Sequence, residues 1–213
     1  MTSLGRREAA LLRGHLDRLA SWDQRAAVRL VATPSALGVY AVLPHEVISF
    51  LALPSTGDVG DVTRSAVEVR RELGEDRPAE PIEIDLFSGD QVLGSSALAD
   101  LPPSEGWQMP IHAVAEDLLR KLDDAVTELR ARSADADSRT QQRILDEIWS
   151  RVTWAGLPMR VLHNARQLGF LVADPTRVSA ATYGPWKRFA TVRGQMFLKD
   201  RNTEYLLRVV RQS

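Results

Sequence analysis

The sequence of 213 residues contains no cysteine. This absence excludes disulfide bonds, thiolate zinc sites, iron–sulfur clusters and a cysteine nucleophile, and it gives no sign of an oxidising compartment. Long apolar runs are also missing, since none approaches the roughly 18 residues of a transmembrane helix. The N-terminal segment carries charges at short intervals where a secretory signal peptide needs an uninterrupted apolar stretch. We therefore expect a cytoplasmic protein without a membrane partner.

Lysine is scarce, with 3 lysines against 24 arginines. This bias is typical of a GC-rich genome, so arginine abundance alone is no recognition signal. The distribution of charge is more informative: the net charge is −6 over residues 1–110, −3 over residues 111–150 and +8 over residues 151–213. Codon bias does not explain the shortage of acidic residues in the last segment. The charge asymmetry is therefore the main functional signal in the sequence.

The remaining composition, 44% apolar and 26% charged, is that of a globular protein with one large or two modest domains.

Residues 6–20 have the apolar spacing of an amphipathic helix, on which we expect His15 to lie on the exposed face. Three apolar runs at residues 26–33, 37–44 and 45–54 are rich in Val, Leu and Ile and are separated by short links. These features predict three strands of an antiparallel meander.

A second helix is predicted after Ser65, because Ser65 and Glu68 have the spacing of a capping box. Residues 82–88 alternate with period two and predict another strand. The loop at residues 89–96 has the glycine spacing of a phosphate-binding P-loop, but Ser95 stands where the phosphate-binding lysine is required. We therefore interpret it as an ordinary loop.

A long amphipathic helix is predicted at residues 114–132, and its polar face is acidic. Helical neighbours do not converge on one metal ion and no Glu-x-x-His pair is present, so this face is predicted to be solvated; its acids include Glu116, Asp123, Asp124 and Glu128. The small polar residues at 133–139 contain no large apolar side chain and predict a domain boundary. The predicted domains are residues 1–132, with the central strands, and residues 139–213, a basic module.

The basic module reads as two helices joined by a turn at Trp154–Gly156, followed by a small β-meander. This order resembles a winged helix-turn-helix in outline. Side chains able to read bases or an acidic partner are expected on the second helix, at Arg160, Asn164, Arg166 and Gln167. Cations able to hold phosphates or carboxylates are expected on the meander, at Lys187, Arg188, Arg193 and Lys199. The predicted fold class is α+β, with an antiparallel sheet, flanking helices and this smaller helix-pair and meander unit.

The segments LPPSEGW and GLPMRVLHNARQLGF, followed by WKRFATVRG, resemble uncharacterised proteins of GC-rich actinobacteria. The resemblance covers residues 101–199. It implies a lineage and no particular activity.

Three functions are compatible with the sequence. We favour a non-enzymatic interaction protein whose basic C-terminal module docks on an acidic protein surface, either a partner or its own subunit. A winged-helix-like DNA-binding regulator is the first alternative. The second is an enzyme whose site is built from scattered carboxylates and histidines. No catalytic residue, metal ligand or cofactor is predicted.

Overall fold

The computed structural model describes residues 1–74, 81–93 and 96–200, and these residues form a mixture of helices and antiparallel strands, as predicted. The chain divides into two compact units, residues 1–101 (unit 1) and residues 102–213 (unit 2). The sequence places the boundary at residues 133–139 instead. Those residues lie within unit 2, between two helices that pack against each other. None of the helices among the described residues has the length and apolar character needed to cross a membrane.

Unit 1 contains the strands β1 (Thr2–Leu4), β2 (Ala27–Ala32), β3 (Ala36–Leu43), β4 (Val47–Gly57), β5 (Gly60–Ser65) and β6 (Ile82–Ile84). They form an antiparallel sheet with the order β5-β2-β3-β4, and β1 pairs with both β4 and β6. The predicted meander is confirmed by β2, β3 and β4, whose side chains are buried on one face. β1 and β5 were not predicted, because each is short and largely polar.

The helices of unit 1 are α1 (Arg6–Trp22) and α2 (Ala66–Glu72), which pack against each other. The predicted apolar stripe of α1 is buried, and an ion pair of 2.7 Å joins Asp17 of α1 to Arg70 of α2. Two expectations are wrong. His15 is only 2% exposed and lies in the interior. α2 begins directly after Ser65, but the Ser65 side chain makes no capping hydrogen bond.

A buried cation lies beneath the loop that follows β6. The guanidinium of Arg64 is almost fully buried and donates to both oxygens of Glu72, at 2.7 and 2.5 Å. Gly89 packs so closely on this guanidinium that a Cβ atom at position 89 would overlap it. The P-loop-like spacing noted above continues to Gly94 and Ser95, which lie outside the described residues.

Unit 2 contains the strands β7 (Gln108–Val114), β8 (Arg177–Tyr183), β9 (Trp186–Thr191) and β10 (Gly194–Lys199). They form an antiparallel sheet in the order β7-β8-β9-β10. The predicted meander is confirmed by β8, β9 and β10. β7 was not predicted. Its pairing with β8 shifts register between Gln108 and Ile111, and Pro110 lies in that interruption, which obscures the strand pattern.

Three helices of unit 2 pack against one another: α3 (Ala115–Ser133), α4 (Ser138–Ser150) and α5 (Met159–Gln167). All three were predicted. The carboxylate of Asp137 caps α4 by accepting hydrogen bonds from the backbone N–H groups of Arg139 and Thr140. Trp149 is buried, whereas Val152 is exposed. α4 ends at Ser150, so Val152 lies beyond the helix and outside its buried face.

Candidate interaction surfaces

The helix α5 is packed into unit 2 rather than presented at its surface. Val161, Leu162 and Ala165 are fully buried, and Asn164, expected on the outer surface, is only 2% exposed. Arg160 is half-buried, so Arg166 and Gln167 are the exposed candidates on this helix. A recognition helix must offer one polar face to the major groove. α5 offers only its C-terminal end.

Two of the candidate arginines form ion pairs within unit 2. Arg166 pairs with Asp123, which links α5 to the acidic face of α3. Arg193 lies 3.5 Å from Asp174 in a second ion pair. The hydroxyl of Thr176 donates to Asp174 and, together with Arg193, lowers the pKa of that carboxyl group. Both arginines therefore already have carboxylate partners in their own chain.

Lys187 and Arg188 are neighbours on β9, so their side chains point to opposite faces of the sheet. Lys187 lies on the face that carries the helices. Its Nζ donates to the carbonyl oxygen of Gly156 at 3.0 Å, in the turn between α4 and α5, and lies 3.3 Å from Asp200. This lysine holds the interhelical turn in place.

Arg188 belongs to an aromatic cluster on the other face of the sheet. Its guanidinium lies 4.8 Å from the ring centre of Trp107, which also packs on Phe197 at 5.6 Å and on Tyr183 at 6.3 Å. The indole N–H of Trp107 donates to the carbonyl oxygen of Pro103 at 3.0 Å and closes the loop over the sheet. Burial lowers the pKa of Arg188. Arg188 is therefore half-buried in a cation–π contact.

Lys199 lies 5.7 Å from the ring centre of Trp186, on the same face as Arg188. The eight candidate residues are therefore divided between both faces of the sheet, the length of α5 and a hairpin. They do not form one continuous basic surface.

The acidic face of α3 is occupied by arginines from its own unit. Glu128 accepts hydrogen bonds from Arg151 at 2.7 and 2.9 Å and from Arg132 at 2.9 Å, and Arg132 also pairs with Glu147 at 2.7 Å. The bonds from Arg151 and then Arg132 lower the pKa of Glu128 to about 2. Glu128 was predicted to be a solvated acid. It instead links α3 to α4 through these arginines. Within the described ranges, no group of three or more His, Asp and Glu side chains is placed to hold a metal ion.

The edge of the unit 2 sheet is a surface that the sequence did not indicate. β7 pairs with β8 on one side, and among the described residues of unit 2 no strand pairs with its other side. Ile111 is 47% exposed and Val114 is 38% exposed, and the exposed Arg177 of β8 lies opposite Val114. We call this surface, formed by residues 111–114 with Arg177, the β7 edge. Large apolar side chains on an open edge are typical of an interaction site.

A pocket of about 420 Å³ lies at one end of unit 1. We call it the unit 1 pocket. Its buried walls come from the end of α1, the end of β3 and the segment after β6, at Leu19, Leu43 and Leu98; its rim includes Trp22, Asp23, Arg25, Pro44 and Leu93. Trp22 is 37% exposed and Leu93 is fully exposed.

His45 and Glu46, which follow Pro44, are exposed turn residues with positive φ angles of 62° and 60°. Such strained positions occur often at binding sites.

Two family descriptions match separate parts of the chain. Residues 1–92 match "Domain of unknown function (DUF8010)", and residues 102–203 match "Domain of unknown function (DUF8185)". The interval between the two matches contains the point at which the two units divide. No curated protein matches the chain in sequence.

Several solved structures are similar to the chain, and they are sliding clamps. The DNA polymerase III subunit beta of Pseudomonas aeruginosa is 14% identical with a TM-score of 0.56, and the comparison covers 93% of this chain and 64% of that one. The DNA polymerase sliding clamp of Caulobacter crescentus is 15% identical with a TM-score of 0.57, and covers 93% and 65% respectively. The corresponding protein of Borrelia burgdorferi is 8% identical with a TM-score of 0.54. The chain thus spans less than two thirds of these proteins, and the likeness shows the fold alone.

Proposed function

We propose that this protein is a non-enzymatic interaction protein whose positively charged unit 2 docks on an acidic protein surface, with a second copy of the chain as the partner. Residues 1–101 hold 10 basic and 15 acidic side chains, and residues 102–213 hold 17 basic and 13 acidic side chains. Opposite net charges on the two units favour a head-to-tail contact between copies.

The β7 edge is the observation that carries this proposal. An open strand offers backbone N–H and C=O groups to another chain, and exposed apolar side chains beside it add affinity. Natural edges are commonly protected by proline or by a bulge. In β7 both devices lie before Ile111, so residues 111–114 keep a regular strand next to Arg177.

The sliding-clamp fold supports an interaction role. The similar proteins are named as a subunit of DNA polymerase III, and a subunit acts through contacts with other chains. Four of the cations predicted to contact the partner already have ion pairs or a cation–π contact within unit 2: Arg166, Lys187, Arg188 and Arg193. These contacts favour the β7 edge over these cations as the docking surface. These cations contribute positive potential to unit 2, whereas the direct contacts are made by the β7 edge.

DNA binding is the second candidate, because the similar structures are named as clamps of a DNA polymerase. The burial of Asn164 and most of α5 speaks against the winged-helix form of this hypothesis. For the enzyme alternative, His45 lies in an exposed turn and His163 stacks on Trp149 at 4.3 Å. Neither histidine has the position of a proton-transfer group in a cleft.

Sedimentation velocity of the full chain over a concentration series and a salt series tests the proposed self-association. We expect assemblies larger than a monomer that dissociate as salt increases. Ile111→Glu and Val114→Glu place a negative charge on the β7 edge against an acidic partner, and each is expected to weaken association by about tenfold or more. Val192→Glu, at another exposed apolar position of unit 2, is the matched control and should leave association unchanged.

A wild-type protein that stays monomeric at all concentrations would overturn the proposal. So would equal effects of Ile111→Glu and Val192→Glu. Fluorescence anisotropy with random duplex DNA separates the second candidate: tight binding that falls steeply with salt, and that Ile111→Glu does not alter, favours a DNA-binding role.

A further inference from the structure

We infer that the unit 1 pocket binds the C-terminal segment of a second copy of this chain, residues 201–213. This inference stands apart from the proposed function, because it uses neither the β7 edge nor any residue of unit 2 before position 201.

The pocket has the chemistry of a site for apolar side chains. Leu19, Leu43 and Leu98 form buried walls, and its volume of about 420 Å³ lies in the range of ligand-binding pockets. The exposed side chains of Trp22 and Leu93 extend this apolar surface at the rim. Exposed apolar groups that line a concave surface mark an interaction site more strongly than isolated ones.

The C-terminal segment supplies the complementary chemistry. Its sequence, RNTEYLLRVVRQS, contains five apolar residues between positions 205 and 210. It also contains three arginines and one glutamate, which give it a net charge of +2. Residues 1–101 hold 15 acidic side chains against 10 basic ones, so unit 1 is acidic overall, while the rim of the pocket itself carries one acid, Asp23, and one base, Arg25. The apolar centre of the segment therefore matches the apolar walls of the pocket, and its basic flanks match the net negative charge of unit 1 as a whole.

The length of the segment is sufficient for binding between copies. Asp200 is the last described residue, and the 13 residues after it span at most about 45 Å when extended. The apolar part alone needs about 20 Å. It can therefore enter a pocket on another copy while several residues remain as a connection to β10.

The test uses the full-length chain with Leu206→Asp and Leu207→Asp, which removes the apolar centre of its own segment. The probe is a fluorescein-labelled synthetic peptide of residues 201–213, followed by fluorescence anisotropy. We expect saturable binding with a dissociation constant in the micromolar range. Adding Leu93→Glu to the receiver should weaken binding by about tenfold, because it removes an apolar contact and because burying a carboxylate against an apolar partner costs desolvation free energy. Val59→Glu, at an exposed apolar position of unit 1 outside the pocket, should not.

Absence of saturable binding at low salt would overturn the inference, as would equal affinities of the Leu93→Glu and Val59→Glu receivers. Circular dichroism confirms that each receiver is folded. Ile111→Glu must leave peptide affinity unchanged, so that failure of the pocket and failure of the β7 edge are distinguishable. Sedimentation velocity of the wild type and of the Leu206→Asp, Leu207→Asp chain tests whether the segment binds another copy. The variant should associate less than the wild type. A peptide that binds while the wild type sediments as a monomer would overturn the role of a second copy.

Discussion

His15 is a histidine held in the interior of unit 1. Burial is the main cause that lowers its pKa from 6.5 to about 4, and the positive charge of Arg18 acts in the same direction. The unfolded chain binds a proton at His15 near pH 6.5, whereas the folded chain binds it only near pH 4. This histidine therefore adds no pH dependence to the stability above about pH 6.5, and it destabilises the fold as the pH falls from 6.5 towards 4.

We predict that His15→Leu removes this pH dependence. The free energy of unfolding of the wild type should fall relative to that of the variant by about 2 to 3 kcal/mol between pH 7 and pH 4.5. Urea denaturation at several pH values measures the difference. His112→Gln, at an exposed histidine of β7, is the control and should retain the wild-type slope. A pH-independent difference between wild type and His15→Leu would contradict the burial of a neutral histidine.

The position of His15 shows what residue patterns predict and what they leave open. The spacing of Ala9, Leu12, Leu16 and Leu19 correctly predicted the buried stripe of α1. It did not predict that the buried arc is wide enough to include Arg13 and His15. Apolar periodicity locates the centre of a buried face, whereas its width depends on the elements packed over it. The same reason explains why Asn164 was expected outside and lies inside.

The helices α3 and α4 are joined by a network of ion pairs among Glu128, Arg132, Glu147 and Arg151. The pKa of Glu128 is lowered to about 2 by its two arginines. A carboxylate with a lowered pKa contributes stability above its unfolded pKa, near 4.5, and loses that contribution as the pH falls towards 2. The network is partly exposed, so salt screens it.

We predict that Glu128→Gln lowers the melting temperature at pH 7 by about 2 °C at low salt, because both arginines lose their shared carboxylate. The difference should shrink in high salt and at pH 3. Asp124→Asn, at an exposed acid of the same helix, is the control. Differential scanning calorimetry provides the measurement. Equal melting temperatures for Glu128→Gln and Asp124→Asn at low salt would show that the network adds nothing.

The helices and the long apolar strands were predictable from sequence because each has a strong local period. β5 and β7 were not, since Val62 is the one apolar residue of β5 and Pro110 interrupts β7. Such strands form because a neighbouring strand offers hydrogen-bonding partners, which no local pattern records. The β7 edge was missed for that reason, although it is the surface on which the proposed function depends.

The chain divides into compact units after residue 101, whereas the sequence predicts a boundary at residues 133–139. We predict that a fragment of residues 102–213 folds cooperatively, because it contains the four strands and three helices that form unit 2. A fragment of residues 139–213 should not, because it lacks α3 and β7 and would expose the surfaces they cover. Far-UV circular dichroism during thermal unfolding compares the two fragments. A cooperative transition in the shorter fragment would support the boundary that the sequence predicts at residues 133–139.

The buried Arg64 restricts which residues fit at positions 72 and 89. Its guanidinium is enclosed by Glu72 and by Gly89, and any side chain at position 89 would overlap it. Loss of Glu72 would leave the buried guanidinium of Arg64 without its carboxylate partner, and a side chain at position 89 would displace the guanidinium. We therefore expect the three positions to co-vary during evolution. A lineage that replaces Arg64 by an apolar residue is then free to change the other two, and its loop at position 89 is free to accept a side chain.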